Sequence, residues 1–234
     1  MEEVLLVGER DLLASISTPS AGYQLLPRPQ SEEVEETADR ISHSPPGTVV
    51  LYGGRAGEAQ AIRDAGTSVI EWPRTRFPVA DDLFSIEPVR TETPRVFFSG
   101  PTSERRDRFL QPVKHRFDVL HLAAGADIEK LEDLMGRCTI AIDLAGEPGL
   151  PLVDRVGPAA AAGMLILAER PLDRAGLSEG TDSVGFSTPD ELELLISDAV
   201  REPEAFLELR RAAREHAEEW RASKSIPEAL AAPA

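Results

Sequence analysis

Short apolar runs alternate with longer polar runs of helical period along most of the chain. The first, Val4-Leu5-Leu6-Val7-Gly8, predicts a buried strand ending in glycine. Tyr23 to Leu26 predicts a weaker strand. Ser31 to Ser42 predicts a helix: Ser31 can cap it, acids fill its first turn, and Val34, Ala38 and Ile41 recur at helical spacing. Thr48 to Tyr52 predicts a strand, Ala56 to Ala65 a helix stopped by Gly66, and Ser68 to Trp72 the next strand. Residues 73–94 break the rhythm. Pro73, Pro78, Pro88 and Pro94 stand among charges with no period, as in a linker or wrapping loop.

The alternation restarts at Arg95. Strands are expected at Arg95–Ser99, Phe117–Leu122, Thr139–Leu144, Met164–Ala168 and Val184–Ser187. Between them, a helix is expected to start over Ser103 to about Leu110, with Lys114 and Arg116 near its C-terminal end, and others are expected at Asp127–Met135 and at Leu152–Ala162. Thr188 as N-cap, Pro189 at the first helical position and Glu191 closing a capping box open a helix to about Val200. Pro203 opens a longer helix expected to run past Trp220. Strands alternating with helices imply right-handed crossovers and parallel sheets. One restart implies two of them, or one unusually long sheet, and two are preferred. The expected fold class is α/β: two small Rossmann-like parallel-sheet halves, residues 1–88 and 89–234, with C-terminal helices.

Composition narrows the partners. A hydrophobic fraction of 41% suits a packed core, and aromatics at 5% make that core aliphatic and alanine-rich. A formal charge of -16 repels polyanions, so neither nucleic acid nor an anionic membrane surface is an expected partner. Cys138, the single cysteine, permits no internal disulfide and reads as a small buried hydrophobe. Met1-Glu2-Glu3-Val4 is acidic and enters a strand at once, unlike a signal peptide. No run approaches the roughly 20 apolar residues of a membrane helix. The cytoplasm is the expected location.

From Arg95 onward the chain resembles the C-terminal half of GT-B glycosyltransferases, particularly those related to the spore maturation protein CgeB. Three features carry the resemblance. Val96-Phe97-Phe98-Ser99-Gly100, with Arg105 and Arg106 soon after, is similar to the family's strand–glycine–basic start. Arg155, the small-residue run Gly157 to Ala162, Gly163 and the apolar Met164 to Leu167 are similar to its arginine–helix–glycine–strand frame. A short strand ending at Ser187 is followed by two helices opening at Asp190-Glu191-Leu192 and Arg201-Glu202-Pro203-Glu204, as in the family's tail. The resemblance implies a nucleotide-sugar donor as substrate, with no further cofactor and no metal. It also exposes a departure: by spacing, Pro158 stands where the family has the glutamate that holds the ribose, and Gly157 replaces an aromatic.

A diphosphate needs backbone N–H groups and one or two cations. Arg155 fits that role, or else pairs with Asp154 or Glu147 at the surface. Gly100 lies at the strand end, and Arg105 or Arg106 would contact phosphate. Arg105, Arg106, Arg108, Lys114, His115 and Arg116 form the one basic cluster, read as a solvated helix face or as a surface for an acidic protein partner. The long C-terminal helix is the other candidate partner surface. Gly53-Gly54-Arg55-Ala56-Gly57 reads as a tight strand-to-helix turn without the P-loop lysine. His43, His115, His121 and His216 form neither a metal set nor a triad, and His121 reads as a satisfied core or cleft residue. Asp143 and Glu147, at the expected C-terminal edge of the second sheet, are the polar candidates for catalysis. Two readings result: a minimal metal-independent GT-B glycosyltransferase, or a degenerate relative retained as a binding or assembly module. A receiver-type first half lacks the acidic pair after its first strand, where Gly8, Glu9 and Arg10 stand.

Overall fold

A computed structural model describes residues 4–9, 23–28, 39, 41, 48–52, 57–72, 78–87, 95–123, 128–146, 156–172 and 176–231. The first half builds a four-stranded parallel sheet from β1 (Val4–Glu9), β2 (Tyr23–Arg28), β3 (Thr48–Tyr52) and β4 (Ser68–Trp72), in the order β2-β1-β3-β4. Thr48 is in register with Val4 on one side and with Ser68 on the other. Helix α1 (Glu58–Asp64) links β3 to β4 and buries Ala59 and Ile62 against Val49, Leu51 and Ile41. Glycines flank it at positive φ, Gly57 at 82° and Gly66 at 87°, a region where a Cβ is strained. Of the expected helix over Ser31–Ser42, Asp39 and Ile41 are helical and the remainder lies outside the described residues.

The second sheet has five parallel strands: β5 (Val96–Ser99), β6 (Val119–Leu122), β7 (Ile140–Asp143), β8 (Leu165–Glu169) and β9 (Val184–Phe186), in the order β6-β5-β7-β8-β9. Its helices are α2 (Glu104–Arg116), α3 (Ile128–Gly136), α4 (Val156–Ala161), α5 (Pro189–Arg201), α6 (Leu207–Ala217) and α7 (Ala222–Ala231). Its strands read as unbroken apolar runs because both faces are covered. Val96, Phe98, Ile140, Ile142, Leu165 and Leu167 pack with Leu110 and Val113 of α2 and with Leu192 and Ile196 of α5. The alternate residues Phe97, Ala141, Ile166 and Ala168 pack with α3, α4, α6 and Trp220. Small side chains on that face let α4 approach closely, and every residue of α4 is buried. The α/β reading with two parallel sheets is the architecture found.

One expectation needs correction, and two become more definite. Of the linker and the wrapping loop expected over residues 73–94, the described part, 78–87, is a wrapping segment: a 3-10 helix, Asp81–Ser85, buries Leu83 and Phe84 in the core of the second sheet. A division at residue 88 would assign this segment to the first half, whereas its packing is with the second. Helix α2 starts at the expected place and runs to Arg116, near which its end was expected, passing through Pro112 because Leu110 and Val113 are fully buried on the sheet and outweigh the missing N–H. The C-terminal helix does not run unbroken past Trp220. The chain leaves it at Arg221, where Val79 N–H donates to the Trp220 carbonyl (2.7 Å) and Ala222 N–H donates to the Val79 carbonyl (2.8 Å).

Arginines lock that junction. Arg214 donates to the carbonyls of Ile86 (2.8 Å) and Ala161 (2.6 Å) and to that of Phe84, while Arg221 stacks on the Phe84 ring at 3.8 Å. Burial lowers the Arg214 pKa from its ordinary value, so the carbonyls take the place of lost water. The amphipathic C-terminal helix therefore packs on its own sheet. Cys138 is buried as expected, its thiol donating to the Leu134 carbonyl at 3.3 Å.

Candidate functional site

Strand order locates the site. From β5 the chain crosses to β6 on one side, and later strands are laid down on the other, so the order reverses between β5 and β7. Helix α2, after β5, covers the face opposite to that of α4, after β7. Helices diverging this way leave a crevice at the C-terminal strand ends, the usual ligand position in open α/β sheets. Gly100, Arg105 and Asp143 come together at this edge.

Gly100 ends β5 with φ at 136°, which only glycine adopts without strain. Its N–H donates to the Leu122 carbonyl (2.8 Å), and its own carbonyl accepts from His121 Nε2 at 2.8 Å. The other ring nitrogen, Nδ1, accepts from Lys114 Nζ at 2.9 Å. A carbonyl only accepts and an ammonium only donates, so the ring proton sits on Nε2. His121 is thus the satisfied cleft residue expected from its place in an apolar strand. Lys114, expected on a solvated face, serves this turn instead.

After the turn, Ser103 caps α2 by accepting from the Arg106 N–H (3.1 Å). Adjacent arginines on a helix point apart, and the two here have different fates. Arg106 is 1% exposed; its Nη1 donates to the Pro101 carbonyl (2.9 Å) and its guanidinium lies over the Phe98 ring. It braces the turn from within and is not presented to a ligand. Arg105 faces the strand ends. Its Nη2 forms an ion pair with Glu169 at the end of β8, and its Nη1 is buried with no hydrogen-bond partner among the described residues. The second Glu169 oxygen accepts from the Ala145 N–H at 2.8 Å, so one carboxylate joins β8, the loop after β7 and the start of α2. Asp143 ends β7, 4% exposed and in register with Ala168, next to Glu169.

One residue beyond β8, Arg170 grips Glu179 through Nε (3.1 Å) and Nη2 (2.5 Å) and reaches Ser187 and Glu191. This pair raises the Arg170 pKa and lowers that of Glu179 from its ordinary value. It lies over Gly185, where a Cβ would come within 2.8 Å of Glu179 Oε1. Glu191 also accepts from the Ser187 N–H (2.7 Å), one residue before the expected capping-box donor, while Thr188 caps the Glu191 N–H.

No protein-family model matches the sequence, and no curated protein matches it. Solved structures do match the fold. A glycosyltransferase from Rickettsia africae superposes with a TM-score of 0.55 at 9% identity, over 98% of this chain and 97% of the other. Sucrose-phosphate synthase from Thermosynechococcus elongatus gives 0.53 at 9% identity, over 98% and 97%. Anabaena HepE, solved with UDP-glucose, gives 0.52 at 8% identity, over 98% and 98%. The fold is GT-B-like. In such a fold the second sheet's C-terminal edge is the one just described.

Arg155 and Glu147 lie outside the described residues, as do residues 53–56 of the glycine-rich turn after β3. Pro158 is buried in the first turn of α4, where helix N–H groups lack intrahelical acceptors and proline costs little. The basic cluster is largely spoken for: Arg105 pairs with Glu169, Arg106 with Pro101, Lys114 with His121 and Arg116 with Glu193. Glu169 and Arg170 were missed in the sequence. The available signal was a polar residue closing an apolar run, the one that singled out Asp143; Met164 to Ala168 is followed at once by Glu169. Among the described residues no group of His, Cys, Asp and Glu could hold a metal ion, and no helix is long and apolar enough to cross a membrane.

Proposed function

We propose that the chain is a nucleotide-sugar-dependent glycosyltransferase of GT-B type, related to the CgeB-like enzymes, that transfers a sugar to an acceptor hydroxyl. The donor half comprises residues 89–234 together with the segment 78–87 packed against it. The observation that carries the reading is Arg105: a guanidinium at the reversal point of the sheet, paired with Glu169, with a buried Nη1 that has no acceptor among the described residues. A donor phosphate oxygen would supply that acceptor, and the charge developing on the leaving diphosphate would be stabilised by Arg105, with Arg155 as the second proposed cation and no metal. Gly100 lets the backbone come close to the ligand. Asp143, at this edge, and Glu147, four residues on in the sequence, are the acidic groups proposed for work on the acceptor. The cytoplasm is the proposed location.

Titration with UDP, GDP and TDP and their sugars, followed by calorimetry and thermal shift, tests the reading. One nucleotide class should bind, and R105A, measured at a temperature where the variant is folded, should weaken that class by about tenfold or more. Absence of binding by every nucleotide at millimolar concentration would sink it. A second reading, a GT-B-like binding or assembly module without turnover, is favoured by Pro158, which offers the ribose neither a carboxylate nor an N–H. Nucleotide binding without hydrolysis or transfer would select it.

A further inference from the structure

We infer that His121, oriented by Lys114, is a positioning residue for the nucleotide site: it withdraws the Gly100 carbonyl from the crevice, so that the turn after β5 can meet an anionic ligand. The inference rests on the nucleotide-sugar reading above. The peptide joining Gly100 to Pro101 has a carbonyl but no N–H, because proline lacks one. That peptide can only accept a hydrogen bond. A phosphate diester also only accepts, so this carbonyl aimed into the crevice would repel the ligand. Gly100, at a φ of 136° and without a Cβ, leaves the peptide free to rotate unless something holds it.

His121 holds it. Its Nε2 lies 2.8 Å from the Gly100 carbonyl, on a strand residue in register with Phe98 and packed edge-on to the Phe98 ring, centroids 5.1 Å apart. Phe98 is fully buried, so the carbonyl is drawn toward the interior of the second sheet. The next carbonyl, that of Pro101, accepts from Arg106 Nη1 at 2.9 Å, and that guanidinium lies over the same ring. Two successive carbonyls of the turn are thus engaged by side chains that rest on Phe98. Only one tautomer of the imidazole serves this purpose. With its proton on Nδ1, the Nε2 lone pair would face the lone pairs of the carbonyl. Lys114 Nζ, 2.9 Å from Nδ1, can only donate there, which leaves the proton to Nε2.

The test compares H121Q with H121L. Glutamine reproduces both bonds, its amide nitrogen donating and its oxygen accepting, whereas leucine provides neither. Calorimetry with UDP, GDP and TDP is run at a temperature where each protein is folded. For the class that binds, H121Q should stay within about threefold of the intact protein and H121L should bind about tenfold more weakly. Full affinity in folded H121L overturns the inference, and so does an H121Q as weak as H121L. In the unliganded proteins, amide exchange at Gly100, whose N–H donates to the Leu122 carbonyl at 2.8 Å, should quicken about tenfold in H121L and hold in H121Q. Unchanged exchange in H121L overturns it too. Ring-nitrogen NMR shifts of the intact protein should place the His121 proton on Nε2 alone, and a proton on Nδ1 refutes the inference without any variant. Failure of every nucleotide to bind would remove the glycosyltransferase reading, while exchange and tautomer would still decide whether His121 holds the turn.

Discussion

At the scale of single residues, the site depends on side chains whose positions along the chain look ordinary. Arg105 and Arg106 are neighbours of identical chemistry, yet one braces a turn and the other faces the strand ends. Helical geometry separates them by about 100°. Gly100 is the residue whose type is dictated most directly by backbone shape. At a φ of 136° a Cβ is strained, and the same residue supplies the carbonyl that orients His121. Gly100→Ala should cost about 1–3 kcal/mol in urea unfolding, without change in the unfolding slope. A cost below a few tenths would show that the turn tolerates a side chain.

At the scale of elements, the segment 78–87 changes meaning most. Its prolines and charges suggest a linker or a wrapping loop, and its apolar residues are too few and too irregular to announce a strand or an amphipathic helix. What fixes it is contact with a distant part of the chain: Phe84 lies between Arg214 and Arg221, whose guanidinium carbons are 5.8 and 3.8 Å from its ring. Three main-chain carbonyls bonded to Arg214 tie this segment and α4 to α6. Phe84→Ala should therefore destabilise the second sheet by about 3–5 kcal/mol. Limited proteolysis should then cut first within residues 78–87. Loss of less than about 1 kcal/mol, with no new cleavage there, would return the segment to the status of a surface linker.

At the scale of the whole molecule, this junction ties the C-terminal helices to the region between the two sheets, and electrostatics make it sensitive to acid. The side-chain hydrogen bonds from Arg221, and the charge behind them, lower the Glu218 pKa from its ordinary value of 4.5 and raise that of Arg221. A carboxyl whose pKa is lower in the folded state stabilises fully above its unfolded pKa, and that stabilisation is lost as pH falls through the folded pKa. The pair is partly exposed, so its contribution is modest. The intact protein should melt above E218Q at neutral pH, with the gap closing only at pH values below the ordinary glutamate range. An equal gap at all pH values would mean that packing, and not the charge, holds the junction.

The sequence by itself determined the strands and most of the helices. A buried strand needs an apolar run and a helix needs periodicity and caps, and both are local properties. β3 and β4 fall on the expected residues, and α5 starts at the expected cap. The same local signals indicated the two parallel sheets and brought Gly100, Arg105 and Asp143 forward as site candidates. Tertiary structure alone decided the strand order, and with it which strand ends share a crevice, because order depends on the side to which each crossover returns. It also decided that Arg106 turns inward, that Phe84 belongs to the second core, and that Glu169 neutralises Arg105 from 64 residues away. No local pattern carries those outcomes. They follow from burial, which forces each charged or polar group to find its partner wherever the fold places one.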